Sequence, residues 1–193
     1  MSTFDEVLQD VERRCREQRI PMLGHEKAEF LAEQVEKAQP ALIVECGTAI
    51  GYSGLWMVSK LKAAGKGRII TVEIDPDRAR YAQDNFARAG VSDLIDSRVG
   101  DAREVLKTIR GQVDFVLLDN SYSNYFPCFQ AIEAQLVDRA IVVADNVGIG
   151  ADAMADYLDH VRTHYESETH WFDINLPWVK RDAMEVSIYQ KST

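Results

Sequence analysis

Three observations predict a doubly wound α/β fold for this chain. Five short runs, "ALIVEC", "GRIITVEI", "LIDSRVG", "VDFVLLD" and "RAIVVAD", are rich in Val, Ile and Leu and continuous rather than alternating in apolar character, as strands buried on both faces are. Stretches of helical length separate them, Tyr52 to Ala64, Asp77 to Ala89, Ala102 to Ile109 and Tyr125 to Leu136, so the connections suit crossovers between parallel strands. The first run leads directly into Gly47, Gly51 and Gly54, spaced G-x-x-x-G-x-x-G, which reads as strand, turn and helix start.

The elements before and after this core follow from local signals. Thr3 and Glu6 stand in capping-box spacing, and Phe4, Val7, Leu8 and Val11 recur at helical period, which predicts a first amphipathic helix. Pro21 and Gly24 break it, and "HEKAEFLAEQVEKA" resumes a helix with Phe30, Leu31 and Val35 inward, ended by Pro40. After a helix near Ala151 to Tyr165, "THWFDINL" and "AMEVSIYQ" read as closing strands joined by "PWVKRD", an antiparallel hairpin at the sheet edge. With no linker or repeat, residues 1–193 are expected to form one domain, helices over 1–38 and a Rossmann-like core over 39–193.

Charge and cysteine usage narrow the partners. A net charge of −9 disfavours an extended phosphate-binding face, because each backbone contact wants Lys or Arg. Cys15, Cys46 and Cys128 are odd in number and widely spaced, and "MSTFDEVLQD" lacks the basic and apolar regions of a signal peptide. No apolar run has the roughly 18 to 20 residues that cross a bilayer. The expectation is a soluble cytoplasmic protein.

In an open parallel sheet, ligands sit beyond the carboxyl ends of the strands, which puts Gly47 and Gly51 at the pocket. The dinucleotide fingerprint needs a middle glycine where this chain has Ala49, and Glu45 would meet a pyrophosphate with like charge. A ligand with an ammonium group would instead suit Glu45. Glu73, closing the next strand, is placed to accept ribose hydroxyls, and Asp101 in "VGDA" to meet an adenine edge. Ribose, adenine and an ammonium-bearing tail together describe S-adenosylmethionine. A tight turn with no ligand is the bland alternative, and an NAD-dependent oxidoreductase the rival enzyme.

The segments "VECGTAIGYSGLWM", "ITVEIDPDRARYAQDNFARAG", "VGDAREVL", "VDFVLLDNSYSNY" and "IVVADNV", in that order, resemble the catechol and caffeoyl-CoA type of S-adenosylmethionine-dependent O-methyltransferases, from roughly Ile20 onward. The resemblance implies a seven-stranded sheet whose last strand is antiparallel. It implies that Glu45, Gly47 and Ser53 border the methionine part of the cofactor, Glu73 the ribose, and Asp101 with Ala102 the adenine, while "MLG" around Leu23 covers the carboxylate. It also implies that Asp119 borders both cofactor and acceptor.

Asp119, Asp145 and Asn146 end two strands and offer three hard oxygen donors, a set that suits Mg²⁺ and matches the family's metal ligands. Capping of the following turn is the structural alternative for Asp145 and Asn146. In the family a lysine three residues after the first metal aspartate commonly serves as base; this chain has Tyr122, a phenol whose ordinary pKa of about 10 makes it a poor one. The segment "NLPWVKRD" shows no carboxylate where catechol enzymes of the family place one, which disfavours catechol itself; Lys180 and Arg181 read as a solvated turn.

Other residues have plain readings. His160 and His164 lie four apart on a helix without a third ligand and are expected at the surface; His25 starts a helix; Cys46 packs as a small core residue. Trp171, Trp178, Tyr122, Tyr125 and Phe126 fall beside the pocket's expected roof, where core packing explains many of them equally well. The expected function is metal-assisted methylation of a small hydroxylated molecule. The alternatives are a hydroxylated tRNA base, as relatives of this architecture use, or cofactor binding without catalysis. The N-terminal amphipathic helix would suit a homodimer.

Overall fold

The computed structural model describes residues 3–176 and 179–191. Helices α1 (Phe4–Gln18) and α2 (His25–Ala38) precede β1 (Leu42–Cys46), α3 (Tyr52–Ala64), β2 (Arg68–Glu73), α4 (Pro76–Arg88) and β3 (Ile95–Val99). The second half runs α5 (Ala102–Val105), β4 (Val113–Leu118), α6 (Tyr125–Ile132), β5 (Leu136–Ala144), α7 (Ala155–His164), β6 (Glu166–Leu176) and β7 (Val179–Ile188). The strands form one seven-stranded sheet in the order β3-β2-β1-β4-β5-β7-β6. β1 to β5 pair in parallel, and β7 lies antiparallel between β5 and β6. The Rossmann-like architecture expected from the sequence is the one observed.

Continuous apolar strands are buried on both faces, as period-2 geometry requires. Val44, Cys46, Val116 and Leu118 pack on one face with Phe129 of α6 and Tyr157 of α7. Ile43, Phe115 and Leu117 pack on the other with Leu31 of α2, Leu55 of α3 and Val7 and Val11 of α1. The capping box at Thr3 is present, with Glu6 reaching back to the Thr3 N–H at 2.8 Å.

Four boundaries stand out as different from the sequence reading. The helices expected over 102–109 and 125–136 each stop early and finish in a 3₁₀ turn, Leu106–Thr108 and Glu133–Gln135. The fifth strand starts at Leu136, earlier than "RAIVVAD", because Leu136 already pairs with Val113, ahead of a register irregularity that contains the left-handed Arg139. The last hairpin is tighter than a link over "PWVKRD": β7 already begins at Val179, opposite Leu176. Pro177 and Trp178, the latter expected in the pocket roof, lie outside the described residues.

Candidate active site

The sheet's topological switch point falls between β1 and β4, whose neighbours run outward in opposite directions. There, beyond the carboxyl ends, a cavity of about 610 Å³ opens, a size suited to a nucleoside-bearing cofactor with a small second ligand. Gly47, Ala49, Glu73, Asp101, Ala102, Asp119, Tyr122, Asp145 and Asn146 all line it. Eight of these, all but Ala49, were expected cofactor, cation or acceptor residues, drawn from five strand ends.

The turn after β1 is built for close approach. Gly47 has φ +100°, and a Cβ there would lie 2.1 Å from the carbonyl oxygen of Asp119. Only glycine lets the ends of β1 and β4 converge this way. Ala49, where the dinucleotide fingerprint has glycine, also adopts left-handed backbone, at φ 47°, and its N–H donates to Glu73 Oε2 at 2.8 Å. The other Glu73 oxygen accepts the Asp75 N–H at 3.0 Å. Glu73 is therefore fixed at the cavity wall by two backbone donors, with lone pairs left for a ligand's hydroxyls.

Glu45 and Ser53 lie beneath the cavity rather than on its wall. Glu45 is fully buried and accepts hydrogen bonds from the Ser53 and Thr71 hydroxyls. Burial pushes its pKa up to about 7, against those two hydroxyls, which favour the carboxylate. Leu23 is likewise buried in the core beside α2, while its neighbours Pro21 and Met22 line the cavity. Asp101 caps α5 and is gripped by Arg103, which holds its carboxyl below the usual range; Ala102 beside it lines the cavity.

Buried behind the acidic end of the cavity is a cation that the sequence reading missed. Lys27, 3% exposed, extends from α2 and donates to Asp145 Oδ1 at 2.7 Å and to Asp182 Oδ2. Asp182, 1% exposed, also accepts from the Asn146 side-chain nitrogen at 2.9 Å and from the Ile149 N–H at 3.1 Å. Asp182 closes the segment "NLPWVKRD", so that segment does deliver a carboxylate to the site. Two signals were present: Lys27 shares the inward stripe of α2 with Leu31, and Asp182 precedes the apolar run of β7. Asp119 lines the cavity without a hydrogen-bonded cation among the described residues, and its pKa rises well above the usual range through burial and then the charge of Asp145.

Tyr122 stands on the 3₁₀ turn after β4, facing this cluster. Burial raises its phenol pKa, and Asp182, Asp145 and Asp119 raise it further. A phenol so placed keeps its proton near neutrality, which makes it a donor or packing group rather than a base. Lys180 and Arg181 are exposed, Arg181 resting on the Trp171 ring and near Asp173. His25 starts α2 edge-on to Trp56, and His160 stacks on His164 away from the cavity lining. Tyr125 is buried and donates to the Asp145 carbonyl at 3.1 Å, a packing role.

A methyltransferase-domain family model matches residues 44–147. The chain is 33% identical over 168 residues to a probable O-methyltransferase of Mycobacterium tuberculosis, covering 80% of this chain and 71% of that protein. It is 26% identical over 193 residues to catechol O-methyltransferase of Mus musculus, covering 95% of this chain and 71% of the relative. Among solved structures, the fold matches O-methyltransferase TomG of Streptomyces achromogenes, determined with S-adenosylmethionine, at TM-score 0.83 and 22% identity over 96% of this chain and 90% of that one. With the glycine turn, the cavity-lining Glu73 and the acidic strand ends in one cavity, the chain belongs to the S-adenosylmethionine-dependent O-methyltransferases of the catechol and caffeoyl-CoA type.

Proposed function

We propose that the enzyme transfers the sulfonium methyl of S-adenosylmethionine to a hydroxyl of a small hydroxylated molecule, assisted by a divalent cation held by Asp119, Asp145 and Asn146. The observation that carries this is the charge balance of the acidic end. Among the described residues three carboxylates, Asp119, Asp145 and Asp182, stand with one ammonium, Lys27, which pairs with Asp145 and Asp182, so in their ionised forms two negative charges are left for a divalent ion to match. Among the described residues no three His, Cys, Asp or Glu side chains are spaced as a metal cluster, so the ion would rest on two carboxylates and one amide. Such an all-oxygen set suits Mg²⁺.

The donor chemistry fits. Asp182 accepts only, so the Asn146 nitrogen faces it and the Asn146 carbonyl oxygen is the group left for the cavity. Lys27 occupies one oxygen of Asp145 and leaves the other. A divalent ion would supply Lewis acidity and orientation for the accepting hydroxyl. Glu73 would hold the ribose, and Pro21 and Met22 would cover the cofactor from the N-terminal side. Tyr122 would pack and orient the acceptor while keeping its own proton. Arg78 is the one Lys or Arg of the described cavity lining, against four carboxylates, which favours neutral or cationic small acceptors over phosphate-rich ones or RNA. The test is transfer of a labelled methyl group to a panel of phenols, catechols, hydroxylated acids and bulk tRNA. Labelling of small neutral or cationic hydroxyl compounds supports the proposal, and labelling of tRNA alone overturns it.

A further inference from the structure

We infer that Asp182, anchored by Lys27, is a positioning residue that dictates which face of the Asn146 amide the cation site receives. The inference rests on the proposed cation at Asp119, Asp145 and Asn146. It starts from the hydrogen-bond inventory: both Asp182 oxygens accept, one from the Ile149 N–H at 3.1 Å and the other from Lys27 and from the Asn146 side-chain nitrogen at 2.9 Å. A buried carboxylate with no proton to give cannot pair with a carbonyl, so the amide has one satisfied orientation. The backbone contributes as well. Asn146 sits at φ 58°, a left-handed conformation that asparagine tolerates better than most residues and that turns its side chain back toward β7. Lys27 spans β5 and β7 from α2, binding Asp145 and Asp182 together, so the ligand end of β5 is held by two strands and a helix.

The consequence runs against simple charge counting. An aspartate at position 146 adds a negative charge and is ordinarily a better ligand for a hard cation. Here it would set a carboxylate against Asp182 and lose the bond that orients it. Partners that orient metal ligands commonly change affinity by roughly 10- to 100-fold when removed. Exchanging the two groups, Asn146→Asp with Asp182→Asn, restores a donor–acceptor pair across the same gap and returns the total charge to that of the wild type.

The experiment is titration of the full chain with Mn²⁺, read as free aqua-ion by electron paramagnetic resonance, with S-adenosylhomocysteine affinity as a check that the cofactor half is intact. Wild type is expected to bind one Mn²⁺; Asn146→Asp to bind at least about tenfold more weakly; the exchanged pair to recover to within about threefold. S-adenosylhomocysteine affinity is expected to stay within about twofold throughout. Should Asn146→Asp fail to fold, Asp182→Asn alone is expected to show the same tenfold loss. Equal or tighter Mn²⁺ binding by Asn146→Asp, or no recovery in the exchanged pair, overturns the positioning role and leaves the cation proposal standing. A wild-type chain that takes up no Mn²⁺ overturns both.

Discussion

Replacing Glu73 by alanine separates cofactor recognition from fold. The carboxylate is 6% exposed, lines the cavity, and accepts the N–H groups of Ala49 and Asp75 at 2.8 and 3.0 Å. Charge-assisted hydrogen bonds to ribose hydroxyls are worth about 1.5 to 3 kcal/mol, which corresponds to roughly 10- to 150-fold in affinity. The same change strips two backbone donors of their acceptor, and because the cavity admits water the stability loss should stay near 1 to 3 kcal/mol. Calorimetric titration with S-adenosylhomocysteine measures the first effect, and denaturant unfolding the second. A folded Glu73→Ala variant whose cofactor affinity stays within twofold of wild type would refute the ribose assignment, whatever its stability.

Further outcomes follow from the same geometry. Tyr122→Phe should lower kcat by less than about tenfold in steady-state assays, below the roughly 10² to 10⁴ of a general base, because burial and then the three nearby carboxylates keep the phenol protonated; a thousandfold loss with unchanged cofactor affinity would make the hydroxyl a proton carrier. Gly47→Ala should destabilise the fold by about 3 kcal/mol or more, since its Cβ would overlap the Asp119 carbonyl at a left-handed φ; an unaltered unfolding midpoint contradicts the close-approach account. Glu45 carries a pH signature. Its folded pKa of about 7 exceeds the ordinary 4.5, so the folded state binds the extra proton and stability falls as pH rises from about 4.5 through about 7. Cofactor-free Glu45→Gln should lose that slope, and parallel pH–stability curves for the two proteins would show that Glu45 titrates normally.

The sheet and the glycine turn were legible because their signals are local. Two-sided burial writes continuous apolar runs, and convergence of β1 on β4 demands a residue without Cβ at Gly47. That Asp119, Asp145 and Asn146 line the cavity was legible because they come at the carboxyl ends of β4 and β5. Lys27 and Asp182 were harder to read, because their meaning is a pairing across 155 positions of sequence, and each alone looks like a charge near a helix or strand start. Glu45 was read as a cavity residue from its place two positions before Gly47, and Ser53 through the family resemblance; a strand's last residues point alternately into the cavity and into the layer below, and Glu45 points below, where the Ser53 hydroxyl bonds it. Helix ends at 105 and 132 were misjudged because a 3₁₀ turn shares the apolar spacing of one more α-helical turn.

Cation assistance at the acidic strand ends is tested most directly by metal reconstitution. Enzyme stripped with chelator, freed of the chelator and supplied with labelled S-adenosylmethionine and an acceptor found in the panel would be assayed without metal and across a Mg²⁺ series. The expected result is loss of methyl transfer on stripping and saturable recovery with Mg²⁺, with Asp119→Ala failing to recover while still binding S-adenosylhomocysteine. Full transfer by the stripped enzyme, unchanged by Mg²⁺, would contradict the account.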